Sequence, residues 1–257
     1  VDSILRNTLH VEDGIANNSM TEDGKWHKIQ ILDPATGTGT FLATAAEKIY
    51  ENYKGQEGLW NDDVVRHIIP RINGFEYLMA PYTMAHLKLA MALRLNEIAT
   101  EQPDRLNIFL TNSLEEEHPE ENLDFARYIT NESNAASVIK RETPIMIVMG
   151  NPPYNEKSAN KGKWIMSPMD DYKQEPGFQK KKVGKRKNGE IIYKNTLEEK
   201  NPKGLNNDYC KFIRIGHNFV NKTNEGVLAY ICGNTFLRTN IFRGMRYELL
   251  KDFDDIY

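Results

Sequence analysis

The sequence predicts an α/β fold built on a doubly wound, mostly parallel sheet. Two observations indicate this fold. Short apolar runs typical of buried strands alternate with longer segments typical of helices. A glycine-rich turn follows the first apolar run directly, at 37–39. No internal repeat interrupts the alternation, and no apolar stretch is long enough to span a bilayer. We therefore expect a protein that does not act in a membrane.

The order of the elements follows from these patterns. Strands are expected near 29–33, 71–76, 106–110, 144–149, 227–232 and 253–257. Helices are expected near 40–53, 79–98, 208–221 and 236–251. Irregular stretches, including two long loops, are expected at 10–25, 115–143 and 155–205. We expect residues 1–257 to form a single catalytic domain. Because the chain begins with valine, we also expect it to be a fragment of a larger polypeptide.

Composition restricts the class of protein. With 257 residues, of which 40% are hydrophobic, the chain can bury one substantial core. Its two cysteines, Cys210 and Cys232, are too few for a disulfide framework and have no partner at metal-ligand spacing. The six histidines are scattered singly. We therefore predict no metal site, and we expect a reducing, prokaryotic cytoplasm as the compartment.

The formal net charge of −3 conceals one basic segment. Residues 155–205 contain 13 lysines and arginines but only seven acidic residues. We interpret the segment as an arm that binds DNA phosphates, and its alternative is a solubilising loop. The acidic run at 115–121 is most simply a solvated loop. The phosphate contacts predicted for the arm are Lys180, Lys181, Lys182, Lys185, Arg186 and Lys187.

The first chemical motif is the segment 29–42, IQILDPATGTGTFL. Asp33 closes an apolar run, and Gly37 and Gly39 form a tight turn into a helical segment. Glycines at the tip of a strand let a ligand approach the backbone, close to the unpaired N–H groups of a helix N-terminus. A dinucleotide fingerprint would require a third glycine where the chain has Leu42. The Gly-Lys-Ser/Thr ending of a triphosphate-binding loop is also missing.

The second motif is the tetrapeptide Asn151-Pro152-Pro153-Tyr154. The exocyclic nitrogen of adenine shares its lone pair with the ring and is therefore a poor nucleophile. The side-chain carbonyl of Asn151 and the backbone carbonyl of Pro152 can accept its two N–H hydrogens and direct the lone pair at an electrophilic methyl group. The prolines fix the backbone, and Tyr154 offers a flat face for a base turned out of the duplex. The alternative is an ordinary proline-rich turn after a strand.

Together the segments DPATGTGTFL, NGFEY, NSL, GNPPY and GVLAYICGNTFLRTNIFRGMRYELL resemble the amino-methyltransferases that make N6-methyladenine in DNA. More narrowly, they look like the methyltransferase segment of single-chain type ISP and type IIG restriction-modification enzymes. The resemblance covers nearly the whole chain except about 155–205. It implies a class I methyltransferase fold, which is Rossmann-like, with an inserted basic loop. It also implies S-adenosylmethionine as cofactor, double-stranded DNA as partner, and nuclease and target-recognition domains on the same polypeptide.

The expected cofactor pocket follows from the sheet, because ligands bind at the carboxyl ends of parallel strands near the point where strand order reverses. Glu76 ends the second predicted strand and can accept both ribose hydroxyls; its alternative is a surface acid. Asn112 ends the third strand and can pair with the adenine edge of the cofactor, although related enzymes commonly have an acid there. A plain turn residue is the alternative for Asn112. The predicted cofactor contacts are Asp33, Ala35, Thr36, Gly37, Gly39, Thr40, Glu76, Tyr77, Asn112 and Ser113.

The resulting hypothesis is methyl transfer from S-adenosylmethionine to N6 of a flipped adenine, with neither a metal nor a covalent intermediate. Three alternatives stay open. The tetrapeptide also serves methyltransferases that act on adenine in RNA or on a glutamine amide in protein. The third alternative is a non-catalytic, cofactor-binding module of a nuclease. The intact Asn151 and the intact glycines of the first motif disfavour this last alternative.

Overall fold

The computed structural model of the chain describes residues 1–97, 105–116, 124–174, 176, 182–185, 191–193, 197 and 203–257. Within these residues the chain divides into two compact units. The first contains 1–151 and 219–231, and the second contains 152–218 and 232–257. The expectation of a single domain over 1–257 stays a prediction. In the described ranges, no helix is both long and apolar enough to cross a bilayer.

The strands of the described residues are β1 Ile31–Asp33, β2 Ile72–Glu76, β3 Ile108–Leu110, β4 Ile147–Gly150, β5 Lys182–Lys185, β6 Ile191–Tyr193 and β7 Val227–Tyr230. Five of them form one parallel sheet in the order β3-β2-β1-β4-β7. β1 is central, because Ile31 lies opposite Ile72 of β2 and Ile147 of β4. The strand order reverses between β1 and β4, as in a doubly wound sheet. The predicted fold class and five of the six predicted strands are confirmed.

The α-helices of the described residues are α1 Asp2–Asn7, α2 Thr40–Tyr50, α3 Glu57–Asp63, α4 Met79–Ala92, α5 Asp124–Glu142, α6 Lys163–Tyr172, α7 Asp208–Thr223, α8 Thr235–Arg238 and α9 Arg243–Asp252. A π-helical turn covers Val64–Ile68, and 3-10 turns cover Gly14–Ala16, Glu51–Tyr53, Ile69–Arg71, Leu95–Glu97, Lys203–Asn206 and Asn240–Phe242. α2, α4 and α7 confirm three of the four predicted helices.

The central strands of the first unit are fully buried, since Ile31, Leu32 and Ile147 have no exposed surface. Continuous burial is the usual state of parallel strands that are covered on both faces. The start of α2 packs closely against α4, because a Cβ atom on Gly39 would lie 3.0 Å from the Cα atom of Ala85. This close approach fixes the position of the glycine-rich loop that precedes α2.

The prediction of an irregular stretch at 115–143 is wrong over α5. The buried face of α5 contains Ser133, Ser137 and Lys140. Because serine and lysine interrupt the apolar repeat of 3.6 residues on this face, the sequence pattern predicts a loop instead. Tertiary hydrogen bonds offset the polarity of this face. The hydroxyl groups of Ser133 and Thr111, for example, lie 3.2 Å apart.

The stretch 155–205 is not irregular throughout, contrary to the prediction. It contains α6, and β5 pairs with β6 in an antiparallel hairpin. Pro168 lies inside α6, where proline removes a helical hydrogen bond and therefore indicates a break. The helix still forms, because Ile165, Met169 and Tyr172 are fully buried along one face.

Two predictions at the C-terminal end are wrong. The helix expected at 236–251 divides into α8, a 3-10 turn and α9, because Thr239 adopts an extended backbone conformation. Nη1 of Arg246 donates to the carbonyls of Phe236 and Thr239, which satisfies two acceptors near this break. The strand expected at 253–257 does not form. The backbone N–H of Phe253 donates to the carbonyl of Leu249, so it still belongs to the last turn of α9.

A buried polar cluster connects α6, α7 and α9 within the second unit. Nη1 of Arg214 donates to Nδ1 of the fully buried His217 at 3.1 Å, so this nitrogen is an acceptor. Nε2 of His217 therefore donates to Oδ2 of Asp252 at 3.0 Å. Burial, aided by Arg214, lowers the pKa of His217 to about 4, so the ring is neutral. Arg214 also forms an ion pair with Asp171 of α6.

Candidate active site

Asp33 ends β1 as a fully buried carboxylate. Its Oδ1 accepts a hydrogen bond from the backbone N–H of Ala35 at 3.0 Å, and its backbone carbonyl accepts one from the Thr36 hydroxyl at 2.9 Å. Its Oδ2 is buried and has no hydrogen-bond partner in the described part of the chain. Burial raises the pKa of Asp33 to about 7; the N–H of Ala35 opposes the rise, and Glu76 adds to it. This side chain is thus a buried acceptor that is incompletely satisfied.

Two glycines make room for the loop that follows β1. A Cβ atom on Gly150, at the end of β4, would lie 2.5 Å from Oδ1 of Asp33. A Cβ atom on Gly74, in β2, would lie 2.6 Å from Oγ1 of Thr36. Any other residue at these positions would displace a side chain of the loop. The strands on either side of β1 therefore carry glycine where the loop comes closest.

The glycine-rich turn is fixed by Glu76. Gly37 and Gly39 have φ angles of 56° and 81°, in the left-handed region that favours glycine. The Glu76 carboxylate accepts the backbone N–H groups of Gly37, Tyr77 and Leu78 at 2.8, 2.9 and 2.8 Å. A carboxylate offers about four acceptor positions, so about one remains on Oε2. Binding both hydroxyls of a ribose would therefore require one of these backbone bonds to break.

The loop after β3 is attached to the loop after β1. The Ser113 hydroxyl donates to the carbonyl of Pro34 at 2.5 Å. The side chain of Asn112 accepts the backbone N–H of Leu114 at 3.0 Å, which closes a turn. Lys140 of α5 donates to the carbonyl of Asn112 at 2.9 Å. Sequence reasoning missed Lys140 because it predicted a loop where α5 lies.

Two other predicted cofactor contacts are exposed. Tyr77 has 67% of its surface exposed, directly after Glu76. Thr40 is the first residue of α2, and its hydroxyl accepts a hydrogen bond from Lys88 at 2.9 Å. The structure thus places the predicted cofactor residues at the carboxyl ends of β1, β2 and β3, all within the first unit.

The tetrapeptide follows β4 without a gap. The backbone carbonyl of Gly150 accepts the N–H of Ile231 at 3.0 Å, which holds the strand end next to β7. Asn151 is exposed and is the last residue of the first unit, and Pro152 begins the second. Tyr154 is half exposed, and its ring centroid lies 5.9 Å from that of Tyr209.

The segment after the tetrapeptide is bound to the start of α7. The backbone N–H of Asn155 donates to the side chain of Asn207 at 3.2 Å, and the backbone N–H of Asp208 donates to the carbonyl of Asn155 at 3.1 Å. The buried Lys211 donates to the Ser158 hydroxyl at 2.7 Å. Asn207, Asp208 and Lys211 lie more than 50 residues from the tetrapeptide in sequence, so no local motif indicates them.

The predicted DNA-binding arm lies largely outside the described residues. Lys180, Lys181, Arg186 and Lys187 are among the residues that are not described. Lys182 and Lys185 begin and end β5, and Lys185 is exposed. Among the described residues, no cluster of histidine, cysteine, aspartate or glutamate could hold a metal ion.

The sequence profile of the N-6 DNA Methylase family matches residues 17–205. This range covers most of the chain, including the loop after β1, Glu76 and the tetrapeptide. The chain belongs to the N-6 DNA methylase family. The predicted family, that of N6-adenine DNA methyltransferases, and the predicted class I methyltransferase fold are confirmed. No curated protein sequence matches the chain.

The fold of this N-6 DNA methylase is shared with solved structures of much longer proteins. One is a nuclease-deletion mutant of the Type ISP restriction-modification enzyme LlaGI in complex with a DNA substrate mimic, at 20% identity and a TM-score of 0.68; the match covers 99% of this chain and 18% of that one. A second is the ATP-dependent Type ISP restriction-modification enzyme LlaBIII bound to DNA, at 22% identity and a TM-score of 0.66; the match covers 97% of this chain and 15% of that one. A third is a DrdV–DNA complex, at 20% identity and a TM-score of 0.66; the match covers 98% of this chain and 21% of that one. The chain spans about a fifth of the length of these proteins.

The raised pKa of Asp33 predicts a specific pH dependence of stability. Asp33 binds its proton more tightly in the folded protein, where its pKa is about 7, than in the unfolded chain, where the pKa is 3.8. The resulting stability is fully present below about pH 4 and is lost as the pH rises from there through about 7. From pH 5 to pH 8, the free energy of unfolding should fall by on the order of 2 kcal/mol more in the wild type than in Asp33→Asn. Urea denaturation of both proteins at the two pH values measures this difference. Equal changes in both proteins would mean that Asp33 is already ionised at pH 5.

Proposed function

We propose that the chain transfers a methyl group from S-adenosylmethionine to N6 of an adenine flipped out of DNA. We further propose that it does so as the methyltransferase part of a longer restriction-modification protein, called the parent polypeptide below. The observation that carries the proposal is the junction of Asp33, Gly150 and Asn151. Gly150 lies against Asp33 of the glycine-rich loop and is followed directly by Asn151. One strand end therefore belongs to both the candidate cofactor loop and the catalytic motif.

The residues of the first unit fit the proposed cofactor. The unpartnered Oδ2 of Asp33 is an acceptor suited to the positively charged methionine end. Gly37 leaves open backbone, Gly39 completes the turn into α2, Glu76 offers an acceptor to the ribose, and the exposed ring of Tyr77 offers an apolar face to the adenine. When bound, S-adenosylmethionine supplies a methyl group made electrophilic by its sulfonium. We assign the remaining contacts to Ala35, Thr36, Thr40, Asn112 and Ser113.

The tetrapeptide is proposed to orient the target base. The side-chain oxygen of Asn151 and the carbonyl of Pro152 accept the amino hydrogens of adenine, so that the nitrogen lone pair is directed at the methyl group. Pro153 keeps the backbone rigid, and Tyr154 stacks on the base. The nitrogen loses a proton after attack has made it acidic, so the reaction needs no strong base.

DNA is supported as the polymer by the family and by the neighbours, whose solved structures contain DNA. We propose that the neighbouring parts of the parent polypeptide include a nuclease and a target-recognition domain. The basic arm that includes Lys182 and Lys185 is proposed to bind phosphates of the target strand. The cytoplasm is the proposed compartment, consistent with two free cysteines. RNA adenine and protein glutamine are the alternative substrates.

The role of Glu76 can be tested by calorimetry. Glu76→Ala removes the acceptor of three backbone N–H groups and the proposed ribose contact. We expect the binding of S-adenosylmethionine to weaken by about 1.5–3 kcal/mol, the range for hydrogen bonds to charged groups. Glu51→Ala is the matched control, because it removes an exposed pair with Lys48 and should leave affinity unchanged. Unchanged affinity in a folded Glu76→Ala protein would exclude Glu76 from the pocket.

The role of Asn151 can be tested by steady-state kinetics of the parent polypeptide on DNA. Asn151→Ala deletes an acceptor that orients the amine, so the rate of methylation should fall about a hundredfold or more. Each tenfold loss of rate corresponds to a rise of ~1.4 kcal/mol in the activation free energy. Tyr154→Ala should reduce turnover less and weaken the hold on the flipped base. Cofactor affinity should be retained in both variants.

Asn7→Ala, at an exposed position in α1, is the control. Full activity of Asn151→Ala would refute this mechanism, and a loss of thermal stability without selective loss of methyl transfer would indicate a merely rigid turn.

A further inference from the structure

Among the described residues, two lysines, one in each unit, are almost completely buried. Lys140 of α5 and Lys211 of α7 are each 1% exposed. Burying an ammonium group is costly unless hydrogen bonds replace its hydration. Each ammonium donates to groups of a single loop, and each loop adjoins part of the proposed site. Both lysines are therefore buried donors to a loop, but the two loops belong to different parts of the proposed site.

Lys140 holds the loop after β3. Its Nζ donates to Oγ1 of Thr111 at 3.2 Å, to the carbonyl of Asn112 at 2.9 Å and to the carbonyl of Glu115 at 2.7 Å. Nζ also lies 5.4 Å from the ring centroid of Phe75, the residue before Glu76. The three acceptors span the loop that contains the proposed adenine contacts of the cofactor. An ammonium with three donors is suited to gather three such oxygens.

Lys211 holds the segment after the tetrapeptide. Its Nζ donates to the Ser158 hydroxyl at 2.7 Å and to the carbonyl of Asn160 at 2.5 Å. The side chain of Asn160 in turn donates to Oδ1 of Asp208 at 3.1 Å. Burial lowers the pKa of Lys211, while Asp208 opposes this effect. Because the segment follows Tyr154 directly, a fixed segment also restricts where the Tyr154 ring can lie.

We infer that Lys140 and Lys211 are positioning residues that separately hold the cofactor loop and the target-base segment in their binding conformations. The inference rests on the proposed function. Neither lysine touches substrate; each acts through the loop that it holds. Loosening one loop should therefore affect one ligand and leave the other unchanged. A lysine that only stabilises the fold would not show this selectivity.

The test is a crossed comparison of Lys140→Met and Lys211→Met in the parent polypeptide. Methionine fills similar space but donates no hydrogen bond. Binding of S-adenosylmethionine is measured by calorimetry, base flipping by the fluorescence of 2-aminopurine at the target position, and turnover on DNA with saturating cofactor. Lys48→Met, at an exposed position, is the surface control. Lys140→Arg and Lys211→Arg test rescue, since arginine keeps a charged donor.

We expect Lys140→Met to raise the dissociation constant and the KM of S-adenosylmethionine about tenfold or more, with kcat and base flipping near those of the wild type. We expect Lys211→Met to lower turnover about tenfold or more and to reduce the 2-aminopurine signal, with cofactor affinity unchanged. The arginine variants should recover part of each loss. Equal effects of both methionine variants on both ligands, or no effect on either, would overturn the inference. A wild type that binds no S-adenosylmethionine would overturn the proposed function as well.

Discussion

A Cβ atom on Gly150 would lie 2.5 Å from Oδ1 of Asp33, so the Asp33 carboxylate can keep its position against the end of β4 only because position 150 has no side chain. The rest of the candidate site depends on this approach. It places the glycine-rich loop next to the strand that leads into Asn151, and Gly74 gives Thr36 the same clearance on the β2 side. The strand order reverses between β1 and β4, which is the position where doubly wound sheets bind their ligands.

Buried polar groups hold the loops at these strand ends. Glu76 accepts three backbone N–H groups of the turns after β1 and β2, and Lys140 gathers three oxygens of the loop after β3. Satisfied buried groups of this kind favour one loop conformation over its alternatives. Oδ2 of Asp33 differs, since it is buried without a partner in the described part of the chain. A charged ligand that satisfies this oxygen would complete the network.

The fold was predictable from sequence where local patterns determine it. The apolar run before Asp33, the glycines after it and the run before Asn151 are short, contiguous signals, and they correctly predict β1, the turn into α2 and β4. α5 was not predictable, because its buried face carries Ser133, Ser137 and Lys140 beside the apolar Ala136 and Ile139. α6 is concealed by Pro168, and its burial depends on tertiary packing. For the same reason the site motifs were predictable, whereas Lys140 and Lys211, which act across 25 to 53 residues of sequence, were not.

The central claim, methyl transfer to adenine N6, is tested most directly by the chemical identity of the product. Duplex DNA would be incubated with the parent polypeptide and S-adenosylmethionine that carries a trideuterated methyl group, digested to nucleosides and analysed by mass spectrometry. The account predicts trideuterated N6-methyldeoxyadenosine as the labelled nucleoside, because Asn151 and the carbonyl of Pro152 are matched to an amine with two N–H hydrogens. Label on cytosine, or label found only on glutamine of protein, would contradict it.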